Sequence, residues 1–314
     1  MKAVQLTEPK TFSVVDVETP EPKEGELLVK VHATSINPSD ILNITGGFPY
    51  TTYPRVPGRD FAGTVVDGPA EFNGKEVFGT SGRTLGFTRD GPHAEYVVVP
   101  VDAIAEKPSN ISFVQAATIG VPFTTASIAL RRGRAQAGDY VLVLGATGAV
   151  GSSAVQLATS LQCKVLTASR KDVTDVNLAN DPTLTKVKDL TNGKGADIVI
   201  DTTGDPALMG SAIGALAHGG RLVFIAAPRR GSTDFTFDLK NLYRQEQEIV
   251  GCNSLSYSPA EMGAELRAMA PLFKDGKLKT TDESELAVIE LASVTDAYHE
   301  MQNKSRRKYV VEIK

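Results

Sequence analysis

Apolar residues form continuous runs in the middle of the chain and alternate with polar ones towards both ends. Residues 141–144 (VLVL) are uninterruptedly apolar and stop at a glycine-rich stretch, Gly145-Ala146-Thr147-Gly148-Ala149-Val150-Gly151. Apolar residues at helical spacing follow in 152–158. Strands buried on both faces of a parallel sheet read as unbroken apolar runs, so this segment predicts a strand, a glycine turn and a helix. Residues 164–168, 196–201 and 219–225 carry the same strand signature, the last two running into polar or glycine turns. From Ser112 onward, helix and strand patterns alternate, which predicts an α/β unit built on a doubly wound parallel sheet.

The first 120 residues read differently. Short strand-like pieces at 12–17, 26–31, 63–66, 74–79 and 94–100 are separated by Pro and Gly, as in a small β-barrel or sandwich. Near the end, Ser258-Pro259-Ala260-Glu261 carries a helix start: a serine cap, proline in the first turn, and glutamate three residues after the cap. Met262, Leu266, Met269 and Phe273 form one apolar stripe, Pro271 predicts a kink or early end, and Gly276 a stop. Strand patterns at 285–289 and 308–313 flank a helix at 293–302 and predict a return to the β domain. The expected division is 1–121 with 271–314 as the β domain, and 122–270 as the nucleotide domain.

Composition narrows the function classes. A chain of 314 residues with 41% hydrophobic content holds about two domains. A formal net charge of −4 gives no electrostatic reason for a nucleic-acid or anionic-membrane partner. The start lacks a signal-type apolar region, and no apolar run is expected to reach membrane-span length. Cys163 and Cys252 read as small core residues, and His32, His93, His218 and His299 have no metal-ligand spacing. The expectation is a soluble, cytoplasmic protein without a metal, acting on a small molecule.

The glycine turn names a ligand. Glycines between a strand and a helix let backbone N–H groups approach a pyrophosphate, and the helix N-terminus favours the anion. Gly145, Ala146, Thr147, Gly148, Ala149 and Val150 are therefore candidate dinucleotide contacts. A site selective for NADH places an acidic residue at the end of the second strand; here stand Ser169, Arg170 and Lys171. Two cations and a hydroxyl suit the 2′-phosphate of NADPH. A solvated basic loop is the plainer reading, and Asp172 is an acidic neighbour. Ligands bind at the carboxyl ends of such strands, so Thr202 and Gly204, with Ile225, Ala226 and Ala227, are expected beside the cofactor.

Read in order, residues 20–26 (PEPKEGE), 33–40 (ATSINPSD), 57–65 (PGRDFAGTV), 91–96 (GPHAEY), the Gly145 turn and 197–204 form one series. With these motifs the chain resembles a zinc-independent medium-chain dehydrogenase/reductase of the quinone oxidoreductase (zeta-crystallin) type, over nearly its whole length. The resemblance implies a GroES-like β-barrel catalytic domain beside a Rossmann domain. It also implies hydride transfer from NADPH to a quinone or α,β-unsaturated carbonyl, and a homodimer paired through an edge strand at 248–252. Zinc-dependent relatives place metal ligands where this chain has Asn37, Arg59-Asp60 and Val121, which are not a zinc set. By the same resemblance Asn37 and Asp40 border the nicotinamide-facing cleft, and Thr124 touches the cofactor near its nicotinamide end. A tyrosine common shortly after the Asp40 position is Leu42 here. Phe48, Tyr50 and Tyr53 either line the substrate pocket or pack on their own domain. Lys308 either reaches the cofactor or belongs to a solvated basic run. A dedicated biosynthetic enoyl reductase using the same site, and a non-catalytic NADPH-binding protein, are the alternative readings.

Overall fold

The computed structural model describes residues 1–228, 231–303, 305 and 307–314. The chain divides into two compact units, Met1–Thr124 with Leu255–Lys314, and Thr125–Ser254.

The first unit opens with a hairpin, β1 (Lys2–Glu8) and β2 (Thr11–Asp16). Then come β3 (Glu26–Ser35), α1 (Pro38–Ile44), β4 (Asp60–Asp67), β5 (Glu76–Gly79), β6 (Tyr96–Pro100) and β7 (Ile104–Glu106). Along β3 burial alternates: Leu27, Val29 and Val31 point into the core, each contributing about 1.5–3 kcal/mol of apolar burial. At the end of β3 the buried side chains change to Thr34 and Ser35, so the strand delivers polar groups into a dry place. α2 (Phe113–Ala116) follows, and then α3 (Gly120–Arg132), which starts in this unit and continues past Thr124 into the second. Residues Phe113–Arg132 make a helical span long and apolar enough to cross a membrane, contrary to expectation. Its most apolar window is 78% buried within the protein, which accounts for the composition.

The second unit runs β8 (Tyr140–Leu144), α4 (Ala149–Ser160), β9 (Lys164–Ser169), β10 (Val176–Asn177), α5 (Lys186–Leu190), β11 (Ala196–Asp201), α6 (Pro206–Ala215), β12 (Leu216–Phe224), α7 (Leu239–Arg244) and β13 (Glu248–Gly251). Among the described residues these strands form a parallel sheet in the order β10-β9-β8-β11-β12-β13. The order reverses between β8 and β11, the place where doubly wound sheets open a ligand crevice. No helix connects β9 to β10. Residues 172–181 lack apolar spacing, and the chain instead lays the short strand β10 beside β9. Cys252 is buried, whereas Cys163 is only half-buried, with its thiol on the Gln136 carbonyl.

The chain closes with α8 (Pro259–Lys274), β14 (Leu286–Glu290), α9 (Val294–Gln302) and β15 (Lys308–Glu312). β15 pairs antiparallel with β3, and β14 pairs parallel with β15, so the tail completes the first unit's sheet. Two expectations need correction. α8 belongs to the first unit, so the return falls before residue 259 and not at 271. Its Gly263 lies against the turn Val101–Ala103, where a Cβ would meet the Asp102 carbonyl oxygen at 2.1 Å. α8 also runs through Pro271 to Lys274. Pro271 and Arg267 sit on its exposed face, so the missing hydrogen bond lies on the solvent side. Met262, Leu266, Met269 and Phe273 anchor the buried face.

Candidate active site

In the second unit β8 ends in Gly145, whose φ of 77° suits glycine. The chain then turns back so tightly that a Cβ on Gly151 would stand 2.1 Å from the Gly145 carbonyl oxygen. α4 starts after Gly148, with no side-chain cap, and Thr147, Gly148 and Ala149 are exposed. The first N–H groups of the helix are thus left open to an anion. Ala146 is buried and Val150 half-buried, holding the turn from beneath. Thr202 follows β11; its hydroxyl donates to the Leu144 carbonyl at 2.8 Å, tying the turn to β8. Asp201 is buried and accepts from Thr203 N and Gly204 N at 2.8 and 3.2 Å, which shapes that loop. Burial raises its pKa. Gly204 packs on Ala226, where a Cβ would approach the Ala226 carbonyl carbon to 2.7 Å, so 202–204 and 225–227 form one rim. Ile225 and Ala226 are half-buried there and Ala227 is exposed. At the end of β9 Ser169 is buried, its Oγ accepting from Lys171 N at 3.0 Å. The Arg170 and Lys171 side chains are exposed. Asp172 is engaged by the Asn177 amide. The turn, the open helix start and the cations fit a dinucleotide phosphate.

The first unit buries a polar cluster. Asp60, fully buried at the start of β4, is its hub. Its Oδ2 accepts from Asn37 Nδ2 at 2.9 Å and Ser35 Oγ at 3.3 Å, and its Oδ1 from the Thr80 hydroxyl. Val121 N lies 2.9 Å from both oxygens. Burial raises the Asp60 pKa, opposed by these donors and by Arg59. Asn37 precedes α1, and Asp40, one turn on, accepts from Asn37 N at 2.7 Å through Oδ2. Asp40 is 1% exposed, and its Oδ1 has no partner. Burial lifts its pKa to about 7, against the pull of Arg59 and Asn37 N and with the push of Asp60. Arg59 is 3% exposed. Its Nε donates to Ser81 Oγ at 2.6 Å and Nη1 to Ser39 Oγ at 2.9 Å, while Nη2 has no partner. Buried His93 closes the cluster. Its Nε2 lies 3.2 Å from the Ser35 carbonyl and its Nδ1 meets the Tyr298 hydroxyl. A carbonyl only accepts, so Nε2 carries the proton and Nδ1 accepts from Tyr298. Burial pushes the His93 pKa down to about 4 and the Tyr298 pKa well up, the latter also through Asp40.

The remaining candidates scatter. Thr124 is buried and its hydroxyl donates to the Gly120 carbonyl at 2.8 Å. Phe48 and Tyr50 pack with Phe87 at centroid distances of 5.1 and 5.5 Å, and the Arg59 guanidinium lies 6.0 Å over Phe87. Tyr53 departs from this group and packs against the barrel core. Lys308 is turned to Glu285 at 3.7 Å and Thr281 at 3.5 Å. Arg59, His93 and Tyr298 were missed as members of a site. The Gly58-Arg59-Asp60 sequence was the one available signal, because a charged pair entering an apolar strand needs buried partners.

A model of zinc-binding dehydrogenases matches residues 149–271, and a model of the alcohol dehydrogenase GroES-like domain matches 23–109. The chain is 48% identical to a zinc-type alcohol dehydrogenase-like protein of Schizosaccharomyces pombe over 99% of this chain and 97% of that one. It is 30% identical to the quinone oxidoreductase of Homo sapiens over 89% of this chain and 88% of that one. The chain belongs to the medium-chain dehydrogenase/reductase family. A solved alcohol dehydrogenase superfamily protein from Novosphingobium aromaticivorans superposes with a TM-score of 0.88 at 27% identity, covering all of both chains. The fold is thus the family's GroES-like domain with a Rossmann domain, and its chemistry is oxidoreduction with a nicotinamide dinucleotide. The zinc in the first family description does not fit the residues present. Asn37, Asp60 and Val121 do converge, but on each other: an amide and a backbone N–H both donate to the carboxylate that would have to face a metal. Among the described residues no group of three or more His, Cys, Asp or Glu is placed to hold a metal ion.

Proposed function

We propose that this protein is an NADPH-dependent reductase that delivers hydride to a quinone or α,β-unsaturated carbonyl without a metal ion. The observation that carries the reading is the Asp60 network. Both carboxylate oxygens are occupied by Asn37, Ser35, Thr80 and Val121 N, so the chain supplies no Lewis acid there to acidify an alcohol. An acceptor that is already electrophilic does not need one. The family resemblance to quinone oxidoreductases supports the same class. Reduced nicotinamide supplies the hydride; the protein binds the dinucleotide at 145–150, 169–171, 202–204 and 225–227, and orients the acceptor. Exposed Arg170 and Lys171 beside Ser169, with the carboxylates of Asp172 and Asp175 taken up by Asn177 and Thr167, favour a 2′-phosphate.

The test is loss of reduced-nicotinamide absorbance with NADPH and NADH in parallel, against quinones and enones. Turnover with NADPH well above NADH supports the reading; equal use, or no turnover, overturns it. The Arg170→Ala, Lys171→Ala double variant should lose NADPH affinity and keep NADH affinity. Among the described residues β13 is the end strand of its sheet, which favours a two-fold dimer through that strand; a monomeric mass at micromolar concentration would refute it.

A further inference from the structure

A hollow of about 840 Å³ opens within the first unit, between α8 and the segment that carries β7. None of the residues of the Asp60 network lines it. Its two walls are fastened to each other at both ends. Gly263 seats α8 against the turn Val101–Ala103, and Arg267 Nη1, one helical turn on, donates to the Asp102 and Ile104 carbonyls at 2.7 and 2.8 Å. At the far end Asn110 Nδ2 donates to the Phe273 carbonyl at 3.1 Å. Between these ties α8 presents Ala270 and Pro271, whose short side chains leave the gap open, while Phe72, Val101 and Ile104 line it from the other side. A preformed, mainly apolar hollow of this size has the dimensions of a small-molecule site.

The charges around the hollow do not cancel. Glu106 is paired with Lys75, and Lys107 with Glu76 at 3.1 Å. Of the other charged groups in the lining, Arg267 and Lys274 stand against Asp102 alone, and none of the three has an ion-pair partner among the described residues. Arg267 and Lys274 lie two helical turns apart on one face of α8, about 10 Å along its axis. Arg267 is exposed, yet its guanidinium is held in place through Nη1. Its Nε and Nη2 have no partner among the described residues. These two N–H groups lie side by side along one edge of the guanidinium, an edge that takes both oxygens of a carboxylate.

We infer that the hollow binds a small amphiphilic carboxylate. The Nε and Nη2 edge of Arg267 donates to the carboxylate, Lys274 adds to the positive field, and the apolar body lies on Val101, Ile104, Ala270 and Pro271. The carboxylate stays at an exposed rim and keeps part of its water, whereas the apolar body leaves water on binding. The body therefore drives association and the head group fixes its direction. Binding is non-covalent, and it goes beyond the proposed reductase activity without depending on it.

The probes are octanoate and octan-1-ol, which share an apolar body and differ in charge, titrated by calorimetry into the full chain with and without NADPH. Octanoate should bind about tenfold more tightly than octan-1-ol, the worth of a charge-assisted hydrogen-bonded pair, and should stay bound when NADPH is added. Arg267→Gln should weaken octanoate about tenfold and leave octan-1-ol unchanged. Lys274→Gln, at an exposed side chain, should weaken octanoate about twofold. Ala270→Trp fills the hollow and should abolish binding of both probes. Thermal unfolding checks that each variant is folded. If Arg267→Gln is not, Arg267→Lys keeps the charge without the two-pronged edge and should still weaken octanoate about fivefold. Absence of octanoate binding, equal octanoate binding by wild type and the folded Arg267 variant, undiminished binding by folded Ala270→Trp, or displacement of octanoate by NADPH overturns the inference. A wild-type protein that reduces no quinone or enone defeats the proposed function and leaves the octanoate measurement to decide this site.

Discussion

Asp40→Asn should make the protein more stable, and only above mildly acidic pH. Asp40 is 1% exposed, and its pKa rises from 3.8 to about 7 because burial outweighs the attraction of Arg59. A carboxyl whose pKa is higher folded than unfolded binds its proton better in the folded state. Its favourable contribution is complete below pH 3.8 and is lost as pH rises through about 7. The gap corresponds to about 4 kcal/mol at one site, an upper bound because a strained buried carboxylate relaxes. Asparagine imitates the protonated acid: its oxygen can accept from Asn37 N as Oδ2 does at 2.7 Å, and its amide takes the place of the unpartnered Oδ1. Urea unfolding of both proteins at pH 4 and pH 8.5 tests this. The midpoints should nearly coincide at pH 4 and differ by about 1–2 M at pH 8.5, with the variant higher. Midpoint differences that are the same at both pH values, or a less stable variant at pH 8.5, would refute the reasoning.

Gly151→Ala should abolish dinucleotide binding, because its Cβ would stand 2.1 Å from the Gly145 carbonyl oxygen; a fluorescence titration with NADPH that matches wild type would exclude this. Tyr298→Phe leaves His93 Nδ1 without its buried donor and should cost about 1–3 kcal/mol, read by urea unfolding. His93, with its pKa pushed down to about 4, should show no ring titration by NMR between pH 5.5 and 8; a midpoint in that range would contradict its burial. Ser258→Ala removes the α8 cap, whose Oγ accepts from Glu261 N at 3.3 Å, and should cost about 1 kcal/mol, visible as a lowered thermal midpoint.

The strand, turn and helix at 140–160, the parallel strands at 164–169 and 196–201, and the cap of α8 are written locally. Unbroken apolar runs, positive-φ glycine and an S-P-x-E start act over a few neighbouring residues, so they are legible in order along the chain. The segment 172–181 lacks apolar spacing, and the structure lays the short strand β10 there in place of a helix. Other features depend on what lies across the fold. Whether Pro271 breaks α8 depended on which face it occupied, and the stripe at 262, 266, 269 and 273 put it outside. Whether Phe113–Arg132 was a membrane-length helix or a core helix depended on what covered it. The site shows the same split. The glycine turn follows from consecutive residues, but Asn37 meets Asp60 across 23 positions, Arg59 meets Ser81 across 22, and His93 meets Tyr298 across 205. Sequence alone determined which residues carry donors, acceptors and charge. Tertiary structure decided which of them lost water together, and the protonation of Asp40 and the unpaired N–H of Arg59 arise only from that shared burial.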